Sequence, residues 1–398
     1  MSVSVEPVAG RRDLKQFVDL PFRLHGEGTP WVPPLRMERR RFLDRRKNPY
    51  FDHAEGEYWL ARRDGDVVGR ITAQHDTRWD EFQGGNDGMF GFFEAIDDQE
   101  VADALVGAAC DWLRSKGRER VLGPMNFTLN DECGLLIEGF DLHPMVLEPW
   151  HPPYYRDLLE AAGLEKAHDT LIWELFHGRL KEGDEFHPMI EAAAKQAREN
   201  GVVVRPMRKR EMEAEVTRFM DVYNEAWGQN WGFVPVTEAE VAFQAGDLKP
   251  VLSEDWAMLA EKDGEVIGAA LSLPDVNQLF ARLNGSLLPF GWFWFARGMF
   301  HPQGVSGVLP KRLAIDRIRI FALGVKSEHQ HTGAAAALFD AHNEAAVRTG
   351  VPGGDAGWIL ESNDPMNRAM EGMGGTVVKR YRIFEKSLEP APVGAEAG

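Results

Sequence analysis

Two ten-residue stretches of this chain almost repeat each other in their apolar and polar positions. LARRDGDVVG (60–69) and LAEKDGEVIG (259–268) each place aliphatic residues on both sides of an Asp-Gly pair, and their starts lie 199 residues apart (259 less 60). Strand-forming residues around Asp-Gly predict a tight β-hairpin. A second echo follows each hairpin in the same order. GLEKAHDTLIWEL (163–175) and GGTVVKRYRIFEK (374–386) both follow a helical stretch, begin with glycine and run into a strand. Asp-Gly hairpins are common, but two ordered echoes at similar spacing point to an internal duplication. The second offset is 211 (374 less 163), so the second half carries a net insertion. It lies in LPDVNQLFARLNGSLLPFGWFWFARGMFHPQGVSGVLPKRL (273–313), whose counterpart AQHDTRWDEFQGGND (73–87) is much shorter.

The remaining pattern predicts one α/β unit per half. The first half reads as helical RRDLKQFVDLPFRLH, the hairpin, strand GMFGFFEAI, helix DQEVADALVGAACDWLRSKG, strand RERVLGPM, helix YYRDLLEAAGL and a closing strand. The second reads as strand VVVRPM, helix REMEAEVTRFMDVYNEAW, hairpin, insertion, strand IRIFALGV, helix GAAAALFDAHNEAAVRTG, strand AGWILES, helix DPMNRAMEGMG and strand VVKRYRIFEK. That order is β-α-β-β-β-α-β-α-β. The expected division is a first domain over 1–175, a helical connector over 176–200 ending at the helix-stop signal ENG, a second domain over 201–388, and a frayed tail over 389–398.

Composition narrows the function. A net charge of −17 argues against nucleic acid as the main partner, while leaving room for a small anion in a local pocket. The two cysteines, Cys110 and Cys133, form no CxxC and do not make a disulfide scaffold. The first residues lack the apolar run of a signal peptide. The greasiest stretch, LLPFGWFWFA (287–296), is too short to span a bilayer and is broken by Pro289 and Gly291. The expectation is a cytoplasmic protein with no membrane span; its oligomeric state is not legible.

The segment FALGVKSEHQHTGAAAAL (321–338) passes from strand through a polar turn into a helix made of small residues. Helix starts expose unpaired N–H groups and a partial positive charge, which suits a phosphate. Glycine at Gly333 lets a ligand touch backbone, with Thr332 before it and Ala334 and Ala335 after it. The alternative is a helix whose small residues only permit tight packing on the sheet, and the local pattern leaves the two even. No Walker or GxGxxG pattern is present. GVSGV (304–308) is not a serine-hydrolase elbow, and the His329/His331 pair has no ligand partners nearby in sequence, so no metal is expected.

These residues resemble the GNAT acyltransferase superfamily. Its acyl-CoA pyrophosphate loop, Gln/Arg-x-x-Gly-x-Gly/Ala, is matched by Gln330, His331, Thr332, Gly333, Ala334 and Ala335. The resemblance implies that the preceding strand, at Leu323, Gly324 and Val325, pairs with the pantetheine arm and serves the thioester oxygen. It also implies that Asn363, with Gly374 eleven residues on, contacts that arm. The implied fold is two tandem GNAT-like domains, each a mixed, mostly antiparallel sheet flanked by helices. The implied cosubstrate is acetyl-CoA or another acyl-CoA. The first half lacks the glycine turn and carries Asp97, Asp98 and Glu100 there, three carboxylates that would repel a pyrophosphate; it is expected not to bind CoA.

Chemistry is less legible. Many family members place a tyrosine acid seven residues after the Asn, where this chain has Met370. Glu361 and Tyr381 are the candidate replacements, each with a structural alternative. Asn224, Trp227, Asn230 and Trp231 combine amides with flat aromatic surface and are candidates for an acceptor pocket, or for a well-packed loop. Asn126, Asn130, Asp131 and Glu132 either face a cleft or satisfy loop backbone. The aromatic insertion, Trp292 to Phe295, is a lid, an apolar channel or a plug between domains, and for a role at a membrane surface it lacks the basic face such segments use. The expected activity is N-acyl transfer, acetyl above all, to a small-molecule amine. A Fem-type or N-acyl amino acid synthase-like transferase and a catalytically silent acyl-CoA sensor are the alternatives.

Overall fold

A computed structural model describes residues 2–26, 28–176, 188–228, 230–248, 253–293, 295 and 315–388. The chain divides into two compact units, residues 1–169 with 381–398, and residues 170–380. The predicted tail and the start of the connector lie outside the described residues.

The first unit is built on β1 (Ser4–Pro7), β2 (Ala54–Arg63), β3 (Asp66–Asp76), β4 (Asp87–Ala95) and β5 (Arg120–Gly123). Neighbours from β1 to β4 are antiparallel, and β4 and β5 are parallel. A short β6 (Leu135–Glu138) follows. The two units then exchange strand ends. Of β7 (Glu165–Phe176), residues from Thr170 on belong to the second unit. Of the last strand, β13 (Thr376–Ser387), residues from Tyr381 on belong to the first, where Phe384–Ser387 pair antiparallel with β5.

The second unit has β8 (Val203–Pro206), β9 (Ala257–Lys262), β10 (Glu265–Pro274) and β11 (Arg317–Val325) in antiparallel order, then β12 (Gly353–Leu360) parallel to β11. The end of β7 pairs antiparallel with β12. Six helices matter below: α1 (Arg36–Phe42), α2 (Gln99–Ser115), α3 (Pro188–Glu199), α4 (Met212–Trp227), α5 (Ala334–Thr349) and α6 (Asp364–Gly372).

The duplication is visible in backbone detail. Asp64 and Gly65 have φ of 55° and 89°, and Asp263 and Gly264 have 51° and 86°. Positive φ at both central residues is what the primed hairpin turn requires, and Asp-Gly supplies it at low cost. Each hairpin then bulges at the same place: the shift between Ala61 and Arg62 has its match at Ala260 and Glu261, again 199 residues on.

Each unit has its own core. In the second, Ala334, Ala337, Leu338 and Ala345 of α5 pack with Ala194 and Ala197 of α3 and with Ile267, Ile318 and Ile320 of the sheet. Alanine at the contact lets two helix backbones approach closely. Burying Leu338 alone contributes roughly 1.5–3 kcal/mol.

A forked strand and a glycine turn

Strands β11 and β12 pair only from Arg317 opposite Gly353 to Ile320 opposite Ala356. Beyond that, β11 stays on β10 as far as Val325 opposite Gly268, while β12 stays on β7 as far as Leu360 opposite Thr170. The sheet therefore forks. A bulge in the β10–β11 ladder opposite Leu271 and Ser272 coincides with the parting and re-aims β11. Arg319, fully buried, sits at the base of the fork: its Nη2 donates to the Gly357 carbonyl at 3.1 Å and its guanidinium lies 4.5 Å from the Trp358 ring centre. Leu323, Gly324 and Val325 form the arm of β11 past the parting. Their backbone on that side has no strand partner among the described residues, so an amide-bearing chain can pair there.

The arm leads into the glycine turn. Residues Ser327–Thr332 make a short 3₁₀ helix, Gly333 is left-handed with φ of 79°, and α5 begins at Ala334. Thr332 Oγ donates to the His329 carbonyl at 2.6 Å and accepts from Ala334 N at 3.3 Å, so one N–H of the helix start is already taken. Gln330 and His331 are exposed, and Gly333 and Ala335 are half-buried, so the turn opens to solvent. What approaches Gly333 is protein. A Cβ there would lie 3.1 Å from Ala197 Cβ and 3.2 Å from the Ala193 carbonyl oxygen, both on α3. The glycine is thus accounted for by its φ and by helix packing, and it is no independent sign of a phosphate. The anion argument rests on the remaining N–H groups and the helix dipole.

The acceptor candidates gather over the other face of the arm. A Cβ on Gly324 would collide with the Trp227 indole and stand 2.9 Å from Ala226 Cβ. Trp227 stacks on Tyr223 with ring centres 4.6 Å apart, and Tyr223 packs on Phe233 at 5.6 Å. Asn230 N donates to the Trp227 carbonyl at 2.8 Å, turning the chain back at the end of α4; Trp231 is half-buried beside it. Asn224 Oδ1 is shielded from solvent and meets no hydrogen-bond donor among the described residues. A shielded, unsatisfied acceptor favours a ligand that brings an N–H or O–H.

At the end of β12, Glu361 is half-buried with Arg380 Nη1 at 3.7 Å. Asn363 caps α6, its Oδ1 accepting from Met366 N at 3.3 Å. Met370 is 2 % exposed in the core and offers no proton. Tyr381 is fully buried in the first unit, where its hydroxyl donates to the Pro149 carbonyl at 3.0 Å. A phenol so held has a structural role, and of the two candidate catalytic residues only Glu361 stands beside the fork's own strand. His329 stands near two carboxylates, its chain neighbour Glu328 and Glu265 of β10, so the expectation that it lacks ligand partners missed both; Lys326 Nζ already holds Glu265 at 2.6 Å.

The first unit also forks, and there the fork is filled. Pairing of β4 with β5 ends at Met89 opposite Leu122. The following loop crosses the gap: Met125 N donates to the Phe90 carbonyl at 2.7 Å, and Asn126 Oδ1 accepts from Phe92 N at 2.7 Å. Gln74 Nε2 donates to the Met125 carbonyl at 2.9 Å, and Asn126 Nδ2 to Glu132 at 2.7 Å. Of the two readings of the Asn126–Glu132 cluster, satisfaction of loop backbone is the one observed. The helix start at α2 is closed as well, with Asp98 accepting from Val101 N at 3.3 Å and Arg63 clamped on Asp98 and Glu100.

Sequence reasoning missed a buried network in this unit. Glu94 sits where Gly324 sits in the other half, on the evidence of the matched hairpin registers (Arg70 opposite Glu94, Ala269 opposite Gly324). It takes hydrogen bonds from Tyr155 at 2.7 Å and His25 at 2.8 Å, with Arg70 at 3.3 Å. Burial pushes its carboxyl up, but His25, Arg70 and His151 outweigh that and bring it down to about 2. Burial holds His151 down to about 4. The paired offsets were the available signal, since they align Glu94 with the arm of the fork.

No family model matches the chain. It is 38% identical over 391 residues to the bacterial ceramide synthase of Caulobacter vibrioides, spanning 97% of this chain and 98% of that one. It is 36% identical over 388 residues to the protein YghO of Escherichia coli, spanning 96% and 95%. The chain belongs to the family of these two proteins. Among solved structures, a tandem GNAT protein from the clavulanic acid biosynthesis pathway superposes with a TM-score of 0.54 at 14% identity, covering 98% of this chain and all of that one. The fold is that of tandem GNAT proteins.

Proposed function

We propose that this protein moves a long-chain acyl group from an acyl-CoA thioester to the primary amine of a long-chain amino alcohol, giving a ceramide-type amide. The observation that carries the proposal is the near full-length relationship to a bacterial ceramide synthase, in a chain whose second unit alone keeps an open fork. The diphosphate is read as lying on the turn at Gln330–Ala335, the pantetheine arm along Leu323–Val325 and against Asn363, and the acceptor over Gly324 among Asn224, Trp227, Asn230 and Trp231.

In this reading the amine nitrogen attacks the thioester carbonyl carbon. Backbone N–H groups of the β11 arm stabilise the oxyanion that forms. Glu361 accepts the amine proton directly or through water. As the C–S bond breaks, that proton passes to the leaving thiolate, and amide and free CoA result. The Asn224 carbonyl oxygen holds the acceptor through its N–H or O–H.

The test is incubation of the full chain with sphinganine and CoA thioesters from acetyl upward, following free thiol and amide mass together. Amide formed with long-chain donors and thiol in equal amount supports the reading. Acetyl transfer alone would replace the long-chain donor with a short one. The buried Met370 keeps a silent acyl-CoA sensor in play, and binding of every thioester with no thiol release would establish that instead.

A further inference from the structure

Strand β11 carries two arginines on one face, two residues apart, and they meet different partners. Arg317 Nη2 holds Asp355 of β12 and Glu174 of β7, each at 2.8 Å, where the three strands still run together. Arg319 lies beside the last pair of the β11–β12 ladder, Ile320 opposite Ala356. Its guanidinium is fully buried and donates to the Gly357 carbonyl at 3.1 Å. It also lies 4.5 Å from the Trp358 ring centre and 5.8 Å from that of Phe321. Burying a guanidinium is unfavourable, and an aliphatic side chain would fill the same space without that penalty. Packing alone does not call for arginine here.

Both outer ladders bulge at this same level. On the β10 side, Leu271 faces Ala322 and Ser272 faces Ile320, so Phe321 is one residue too many. On the β7 side, Trp173 faces Ala356 and Leu171 faces Ile359, so Gly357 and Trp358 share Ile172. The extra residues of the two bulges are the ones that surround the Arg319 guanidinium. Gly357 directly follows the last β12 residue paired with β11, so the carbonyl that Arg319 takes is the first one beyond that ladder. Arginine suits the position: its planar fork donates in a fixed direction while its face rests on aromatic rings, and a lysine ammonium cannot do both.

We infer that Arg319 is a positioning residue that holds the fork open and forms its floor. A buried carbonyl seeks a donor, and a side chain that supplies one removes the demand that would draw β12 onto the β11 backbone. That spacing role is read from the strands alone. A second part of the role rests on the proposed transferase reading. A pantetheine chain running from the turn at Gln330–Ala335 back along Val325 and Leu323 brings its thioester toward Phe321. Arg319 then closes the way beyond and stops the carbonyl at one depth for the amine.

The test compares Arg319→Met, which keeps apolar bulk and loses the donor, with Arg319→Lys, which keeps a donor. Amide exchange is followed by mass spectrometry over peptides spanning 320–326 in the full-length protein without ligand. Exchange there should slow roughly tenfold in Arg319→Met as β12 closes on the arm, and stay within about threefold of wild type in Arg319→Lys. An arginine that only stabilises the fold predicts the opposite sign, faster exchange in this stretch with a lower Tm. With an acyl-CoA and sphinganine, kcat should fall on the order of 100-fold in Arg319→Met while the KM for the amine holds, and Arg319→Lys should recover at least about tenfold of that loss. Unchanged or faster exchange over 320–326 in Arg319→Met overturns the inference. Should that variant not fold, Trp358→Leu, which frees the guanidinium from its ring, should show the slowing, and its absence there overturns the inference equally. Wild type that binds CoA yet releases no thiol would remove the transferase reading, and the exchange result would still decide what spaces the strands.

Discussion

Two residues of the glycine turn should separate when each is changed alone, because the structure gives them different jobs. Gly333→Ala forces a side chain into the left-handed region at φ of 79°, which costs about 1–2 kcal/mol. Its Cβ also meets Ala197 Cβ at 3.1 Å and the Ala193 oxygen at 3.2 Å. Ala197 is 1 % exposed, so α3 yields only by shifting bodily, and overpacking of this kind adds about 1 kcal/mol. The sum is roughly 2–3 kcal/mol, a fall in Tm of about 4–12 °C for a unit of this size. His331→Glu should behave oppositely. His331 is exposed, so the change is expected to alter stability by less than about 0.5 kcal/mol. A new carboxylate about 6 Å from a bound diphosphate, in a setting between water and an effective dielectric of 20, costs about 1 kcal/mol, or a roughly fivefold weaker CoA Kd that salt partly restores. Differential scanning fluorimetry and isothermal titration with CoA read the two effects. An unmoved Tm in Gly333→Ala refutes the packing account of that glycine, and an unmoved Kd in His331→Glu refutes the phosphate turn.

The remaining predictions bear on the fork, the proton and the buried network. Trp227→Ala removes the indole lying against Gly324 and should change the preferred acyl or acceptor length while CoA itself binds as before; identical chain-length profiles would count against an acceptor wall there. Glu361→Gln should lower kcat by about 10²–10⁴ with little change in KM, as expected for a proton acceptor, and a kcat within twofold of wild type rules it out. The first unit should lose stability in two acid steps. His151, neutral in the fold down to about 4 but titrating near 6.5 when unfolded, contributes stability present above pH 6.5 and lost as pH falls to 4, about 3 kcal/mol in all. Glu94, brought down to about 2 from 4.5, contributes stability present above pH 4.5 and lost below it. His151→Gln should flatten the upper step in a urea titration run against pH.

How much of this could be read from the residues depends on the range of the forces involved. The Asp-Gly hairpins were legible because a two-residue turn dictates its own φ angles, and Asp64, Gly65, Asp263 and Gly264 all obey. The strand, turn and helix at 317–349 were legible for the same local reasons. The packing role of Gly333 was not legible, and its two readings stayed even, because the atoms close to it sit on α3, more than a hundred residues earlier, and no local pattern encodes that contact. The surroundings of Tyr381 were not legible because the last strand, where it was expected and is found, changes unit partway along, which is decided by pairing with β5 and by the Pro149 carbonyl. Glu94 drew no notice because a single carboxylate in an apolar run reads as an edge residue until His25, Arg70 and Tyr155 are seen around it.

The two forks bear on why the proposed site is placed in the second unit alone. Parting β4 from β5 and β11 from β12 exposes backbone N–H and C=O groups that must find partners, since unpaired buried amides cost about 1–3 kcal/mol each. In the first unit the chain supplies them itself: Met125 N and Asn126 Oδ1 take the positions an amide-bearing ligand would need on Phe90 and Phe92, and Asp98 takes a helix N–H that a phosphate would need. A ligand entering there would have to displace bonds of equal quality and then pay for the loop it ejected. In the second unit Trp227 covers the face of the arm at Gly324, and among the described residues the side turned toward β12 stays without a strand. Substituting Asn126 would therefore loosen the first fork without creating a thioester site, because Asp98, Glu100 and the buried Glu94 would still set negative charge along the path of the diphosphate and the oxyanion.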